Sequence, residues 1–309
     1  MVNNTITAIN GILAGHWTDH DAMTGCTSLI FPNGAVAGVD VRGSAPGTRE
    51  TDLLRGYNIV DRIHGLILSG GSAFGLDAAS GVMRYLEEKG IGYDAGVCKV
   101  PIVPAAVIFD LTVGDFSVRP GKNEGYSACE NASANPLASG SVGAGAGATV
   151  GKAFGTKHAM KSGVGNAIVA LNDGILVAAV AVVNALGDVY DPATGEIIAG
   201  AVKGGKFCPC MELTGPASAG FGNTTIGVVA TNAKLTREEA NKLASIAHDA
   251  LAMAVRPVHT SYDGDTFFAV STMEKPAADM LPLMTACIKA VSTAIADAVK
   301  HAGNLTKHE

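Results

Sequence analysis

The sequence predicts an α/β fold built in layers, and three observations carry that prediction. Short β-branched runs bounded by Gly or Pro recur along the chain. A few longer stretches repeat apolar residues at helical spacing. The apolar content is also made of small residues: 48% of the 309 residues are hydrophobic, only 5% are aromatic, and 39 are glycine. A core of Val, Ile, Leu and Ala with that much Gly lets sheets and helices approach one another closely.

The strand candidates are Thr27–Phe31, Ala35–Val41, Leu66–Leu68, Ala167–Ala170, Ile175–Val183, Thr225–Ala230 and Phe267–Ser271. The first helix spans Ser72–Glu88, with apolar residues at 74, 76, 79, 82, 83 and 86 on one face, and Gly90 closes it. A second runs from Thr236 to about Met253. Thr236 is its N-cap, Glu239 completes a capping box, and Pro257 prevents continuation. A third, Ala-rich, covers Ala277–Ala302 with Pro282 in its early turns. Strands and helices in this order fit a layered α/β domain but do not separate a four-layer sandwich from a doubly wound sheet. No low-complexity linker divides the chain, so a single domain over 1–309 is expected.

Composition excludes several classes. Net charge is −6 with a pI near 5.7 and no run of Lys or Arg, which argues against nucleic-acid binding. Mean hydropathy is +0.28, yet the most apolar stretch, Ala167–Ala185, is broken by Asn172, Asp173, Gly174 and Asn184, so no membrane partner is expected. The N-terminal MVNNTITAIN lacks the charged and apolar regions of a signal peptide, and a cytoplasmic protein is expected. Six scattered cysteines do not form a disulfide framework, and Cys208-Pro209-Cys210 lacks the second pair or nearby His that a metal site wants.

Three further patterns resemble sites and fail on inspection. Ser141–Lys152 (SVGAGAGATVGK) has Ala146 where a phosphate loop needs its first Gly and Ala153 where it needs Ser or Thr. Val150 stands where a dinucleotide fingerprint needs its third Gly. A Gly-rich strand admitting close backbone approach is expected instead. His16 and His20, beside Asp19 and Asp21, read as polar loop residues rather than metal ligands, and no cofactor is called for. Asn223-Thr224-Thr225 matches a glycosylation sequon, which a cytosolic chain would not use.

The same Thr224 opens a buried-looking strand behind a flexible, polar lead, Phe221-Gly222-Asn223. A hydroxyl so placed can attack the preceding carbonyl and shift the acyl group from N to O; water then cleaves the ester. The α-amine thus freed, with an ordinary pKa of about 7.7–8.0, is a usable base beside its own hydroxyl.

Several long motifs in order sharpen this. They are Val41-Arg42-Gly43-Ser44-Ala45-Pro46-Gly47-Thr48-Arg49-Glu50-Thr51, Leu68-Ser69-Gly70-Gly71-Ser72-Ala73-Phe74-Gly75-Leu76-Asp77, Val100-Pro101-Ile102-Val103-Pro104, Val183-Asn184-Ala185-Leu186-Gly187-Asp188 and the Asn223-Thr224 segment. Across nearly the whole chain the sequence resembles the DmpA-type aminopeptidase/amidase family, peptidase family S58. Within it the sequence is most similar to the branch of 6-aminohexanoate-oligomer endo-hydrolases that degrade nylon oligomers. The resemblance implies an αββα sandwich of the N-terminal-nucleophile-hydrolase type, cut between Asn223 and Thr224 into a large subunit, 1–223, and a small one, 224–309. It also implies a homotetramer.

Family roles carry over to Thr224 as nucleophile, Asn184 as oxyanion donor, Lys152 as the active-site lysine and Tyr126 as the active-site tyrosine. Asp263 and Asp265, flanking Gly264, match the pair that orients the nucleophile and its amine. Thr with two Asp, where the aminopeptidase branch would carry Ser and a hydroxyl-x-glutamate arrangement, favours an oligoamide hydrolase acting on linear amides. The alternatives are an aminopeptidase or amidase for short peptides, a self-cleaving acyltransferase of the ornithine-acetyltransferase kind, and a binding protein that uses the fold without processing.

Overall fold

The computed structural model describes residues 3–217, 222–276 and 279–303. Its principal strands are β1 (Leu13–Asp19), β2 (Thr24–Val41), β3 (Ile63–Ser69), β4 (Ala105–Val107), β5 (Val164–Ala170), β6 (Leu176–Asn184), β7 (Thr224–Ala233) and β8 (Thr266–Lys275). The helices are α1 (Ala78–Glu88), α2 (Lys122–Glu130), α3 (Arg237–Ala254) and α4 (Met280–Lys300).

The strands hydrogen-bond in the order β5-β6-β7-β8-β2-β3-β4, with β1 on the first half of β2. All neighbours are antiparallel except β7–β8 and β3–β4. The predicted strands 27–31 and 35–41 are one strand of 18 residues. Its first half pairs with β3 and its second with β8, and the register slips between Ile30 and Ala35, where Gly34 takes φ +69°. That irregularity carries β2 from one sheet into the other. Pro32-Asn33-Gly34 looks like a turn in sequence and acts as a bend inside a strand.

Three cores define four layers. Leu29, Leu66 and Ile108 meet Val180, Ile226 and Phe268 between the sheets. Cys26, Ile67 and Ala105 on the outer face of one sheet pack under Ala78, Val82 and Ala128 of α1 and α2. Val177, Val229 and Phe267 on the outer face of the other pack under Leu243, Leu251, Leu283 and Ile295 of α3 and α4. The molecule is therefore an αββα sandwich.

The small-residue composition is used where helices meet strands. A Cβ on Gly38 would strike the backbone of Ala240 and Asn241 in α3, and one on Gly165 the backbone of Ala294 and Ala298 in α4.

The helix expected over 72–88 begins as a tighter 3₁₀ segment, Ser72–Asp77, before α1. The Thr236–Glu239 capping box is present, with Thr236 Oγ1 accepting from Glu239 N at 3.2 Å and Glu239 Oε2 from Thr236 N at 2.8 Å. Helix α4 starts at Met280 behind the N-cap Asp279; Ala277 and Ala278, part of the predicted helix, lie outside the described residues. By length and composition α4 alone among the described helices could cross a bilayer, yet its apolar face packs into the sandwich core. The Gly-rich 141–152 segment differs from its expected strand. It forms a 3₁₀ turn at Gly143–Gly145, and only Thr149–Val150 is extended.

Candidate active site

Thr224 is the first residue of β7 and sits opposite Asn184, the last residue of β6. Both strands are central, so their ends meet at a fixed place on the rim of the sandwich. Residues 263–265 approach the same place because β8 starts at Thr266, parallel to β7. Thr224, Asn184, Lys152, Asp263 and Asp265 are all buried, none more than 5% exposed.

The peptide bond before Thr224 is held from both sides. The Thr224 hydroxyl donates to the Asn223 carbonyl oxygen at 2.5 Å, and the Gly264 N–H donates to the same oxygen at 2.9 Å. A hydroxyl therefore lies against the carbonyl it would attack, while a backbone N–H is already aimed at the oxygen that would gain charge. Gly is needed at 264, since a Cβ there would lie 2.5 Å from the Ala45 carbonyl oxygen and 2.9 Å from Thr224 Oγ1.

Asn184 was expected to donate to the oxyanion. In the structure its Nδ2 donates to the carbonyls of Phe109 (3.0 Å) and Gly222 (3.2 Å). Its Oδ1 accepts from Lys152 Nζ at 2.8 Å and from Thr149 N at 3.1 Å. Lys152 also donates to the Asn184 carbonyl (3.0 Å) and the Gly222 carbonyl (3.4 Å), tying the residue before the Asn223-Thr224 pair to the neighbouring strand. Burial lowers the Lys152 pKa to about 7, with Asp263 opposing. An amine so tuned exchanges protons near neutrality.

The two aspartates have different partners. Asp263 accepts from the N–H and hydroxyl of Thr260 (2.7 and 2.6 Å). Burial and its neighbour Asp265 push its pKa up, against those hydrogen bonds and Lys152. Asp265 Oδ1 accepts from Thr225 N at 2.7 Å and so fixes the backbone just after the nucleophile. Its Oδ2 accepts from His259 N (3.1 Å) and lies 2.9 Å from His259 Nδ1.

Gly264 and His259 are thus members of the cluster that sequence reasoning missed. The first contributes only a backbone N–H, which leaves no compositional signal. The second stands six residues from its aspartate in an irregular loop with φ +56°.

Tyr126 requires correction. It lies on α2, in the outer helical layer, where its hydroxyl donates to Glu88 at 2.7 Å, its ring meets Tyr85 edge-on and Arg84 stands over it. Helix α2 packs on α1 and the outer face of β1 and β2, so Tyr126 is not brought to Thr224. Among the described residues, the aromatic ones at Thr224 are Phe109 and Tyr262. They line a cleft of about 200 Å³ with Ala45, Pro46, Ser72 and Val107. No charged side chain lines this cleft among the described residues.

The remaining sequence patterns lie in other places. His16 Nδ1 pairs with Thr27 Oγ1 at 2.9 Å, and burial lowers the His16 pKa to about 4. Cys210 packs against Asp188, whose carboxylate accepts from Cys210 N and Ala201 N.

The chain has known relatives. The model of Peptidase family S58 matches residues 4–309. An uncharacterized aminopeptidase of Mycobacterium tuberculosis is 46% identical over 291 residues, 87% of this chain and 81% of the relative. A 6-aminohexanoate-oligomer endohydrolase of Kocuria sp. is 34% identical over 273 residues, 85% and 74% of the two chains. Among solved structures, a Burkholderia sp. beta-aminopeptidase aligns with TM-score 0.71 and 20% identity over 98% of this chain and 88% of its own. The L-aminopeptidase D-Ala-esterase/amidase of Ochrobactrum anthropi, described as a variant of the Ntn hydrolase fold, gives 0.73 and 17% over 97% and 86%. The sandwich is therefore of the Ntn-hydrolase type, and the protein is a hydrolase acting on amide bonds. With a family match over nearly its whole length and relatives this similar on either side of the aminopeptidase–oligoamidase divide, the chain belongs to peptidase family S58.

Proposed function

We propose that this protein cuts its own Asn223-Thr224 bond and then hydrolyses aliphatic oligoamides, of the 6-aminohexanoate (nylon) type, through an acyl ester on Thr224. The observation that carries the proposal is the Asn223 carbonyl, approached by the Thr224 hydroxyl and by the Gly264 N–H at 2.9 Å. Attack of Oγ1 on that carbonyl carbon, with Lys152 accepting the hydroxyl proton, gives a tetrahedral oxyanion facing Gly264. Collapse breaks the C–N bond, the Thr224 nitrogen takes the proton, and Asn223 is left as an ester on Oγ1. Water hydrolyses the ester and yields chains 1–223 and 224–309.

The freed amine then serves as base for its own hydroxyl in each turnover. It takes the Oγ1 proton as a substrate carbonyl is attacked and gives it to the leaving amine. Asn184 Nδ2, released from the Gly222 carbonyl when that segment moves off, becomes available to the substrate oxyanion. Asp265, through Thr225 N, holds the start of β7 in place.

The neutral, largely apolar wall of the cleft supports an uncharged aliphatic segment beside the scissile amide. A second reading, aminopeptidase action on short peptides, is favoured by the higher identity to the mycobacterial relatives. Such an enzyme must bind a free α-amine next to the cut bond. An N-acetylated aminohexanoate oligomer decides between them: turnover comparable to the free oligomer supports the oligoamidase, and loss of turnover on acetylation supports the aminopeptidase. Intact mass tests the first step, since a chain that stays at 31.2 kDa through prolonged incubation would refute self-cleavage.

A further inference from the structure

Seven of the eight arginines donate to, or ion-pair with, a protein acceptor: Arg42, Arg49, Arg55, Arg62, Arg84, Arg237 and Arg256. Among the described residues, Arg119 has no such partner. Its guanidinium carbon instead lies 4.1 Å from the centroid of the Phe74 ring, which is itself 60% exposed. Stacking on a ring satisfies the face of a guanidinium and leaves its in-plane N–H groups free to donate.

The pair stands beside the cleft. Ser72 and Ala73 form part of the cleft wall, and Phe74 follows them directly. Arg119 packs against the same turn, since a Cβ on Gly71 would lie 3.2 Å from Arg119 Cβ. The turn is built under constraint. Gly71 and Ser72 both take left-handed backbone, at φ +81° and +55°, and Ser72 N is pinned to the Ile108 carbonyl at 2.9 Å. A left-handed Ser beside a reaction cleft is a costly conformation that persists where the surroundings enforce it. Here it carries Ser72 and Ala73 into the wall and sends Phe74 outward beneath Arg119. Among the described residues none that lines the cleft is charged, so the nearby guanidinium is a cation available to an anionic substrate end.

An amide chain has direction. The portion on the amine side of the scissile bond, which leaves after attack by Thr224, ends in a carboxylate. We propose that Arg119, stacked on Phe74, is a carboxylate subsite that takes the terminal carboxylate of the leaving portion. It selects short amides with a free acid end over amidated or internal ones. The assignment of this end rests on Thr224 being the nucleophile.

The test is calorimetric binding, which does not depend on turnover. The probes are N-acetyl-6-aminohexanoate and N-acetylglycine, each beside its primary amide. For at least one pair the acid binds roughly 10-fold or more tightly than the amide, the usual range for hydrogen bonds to a charged group. Arg119→Gln brings that acid down to the level of its amide while amide binding is unchanged, and Arg119→Lys restores part of the difference. Equal binding of acid and amide to the wild-type protein, or an equal loss of both in Arg119→Gln, overturns the subsite. Intact mass on the same samples keeps the two proposals apart. An uncut chain that still prefers the acid refutes the role of Thr224 and leaves the carboxylate subsite standing.

Discussion

Lys152 and Lys161 are nine residues apart, equally buried at 5% exposure, and each has its pKa lowered to about 7 by burial with one buried aspartate opposing. Their surroundings separate them. Lys161 donates to three backbone carbonyls, Gly145 (3.3 Å), Ala148 (3.0 Å) and Ser162 (3.0 Å), and so ties the Gly-rich turn to the strand that follows it. Its aspartate, Asp110, is engaged by Thr24 Oγ1 and Gly71 N, both at 2.7 Å. Lys152 donates to Asn184 and to the Gly222 carbonyl, beside the bond that Thr224 would cut. A buried, shifted amine thus marks a candidate only. What distinguishes Lys152 is the hydroxyl–carbonyl pair next to it.

The largest expected effect tests the pair itself. Thr224→Ala should leave the chain whole and reduce amide hydrolysis by at least about 10⁴-fold, the scale seen when a nucleophile is removed. Gel or mass analysis and initial rates report both, and a cut, active Thr224→Ala protein would sink the mechanism. The two lysines should then part company. Lys152→Met should slow self-cleavage by about 10²–10⁴-fold, the usual contribution of a positioned base. Lys161→Met should process normally but lose about 1–3 kcal/mol of stability, because its carbonyls are left without a donor. Thermal denaturation beside the processing rate reads out the contrast, and the reverse pattern would assign the wrong lysine.

Next comes Gly264→Ala. The added methyl would crowd the Ala45 carbonyl and the Thr224 hydroxyl. It would also disturb the N–H on the Asn223 oxygen, and removing one oxyanion donor costs about 10²–10³ in rate. Processing at the wild-type rate would show that this N–H plays no part.

A smaller effect follows from titration. Each lysine binds its proton up to about pH 7 when folded and up to 10.5 when unfolded. Between those values the unfolded chain holds more protons, so stability rises with pH, by up to about 1.4 kcal/mol per unit for each lysine. The penalty of burying the charged form is fully present below pH 7. Denaturant unfolding between pH 7 and 10 should show a shallower rise in Lys161→Met than in the wild type; identical slopes would remove Lys161 from the balance.

Much of the fold was legible because its signals are local. The Thr236–Glu239 box, Gly90 and the β-branched runs at 175–183 and 225–230 act within a few residues. The joining of two apparent strands across Pro32-Asn33-Gly34 was not, because only the partners β3 and β8 turn that bend into a crossing between sheets. At the site, the resemblance pointed to Thr224, Asn184, Lys152, Asp263 and Asp265, and the structure brings these five side chains to one place. The Gly264 N–H and the His259–Asp265 contact depend on how a loop folds back, and no residue type announces that.

Tyr126 was misplaced for a related reason. The family resemblance gave Tyr126 its role, but the neighbouring Gly125 serves helix packing: a Cβ at 125 would strike the backbone of Ala78 in α1. That contact fixes α2 against α1 and points Tyr126 to Glu88, whose pKa its hydrogen bond lowers. Tyr126→Phe should therefore leave self-cleavage and hydrolysis unchanged and move only the titration of Glu88 upward, measurable by NMR. If the variant instead lost activity with its fold intact, the outer helices would have to communicate with the end of β7. The separation between packing motifs and the Thr224 cluster would then have to be redrawn.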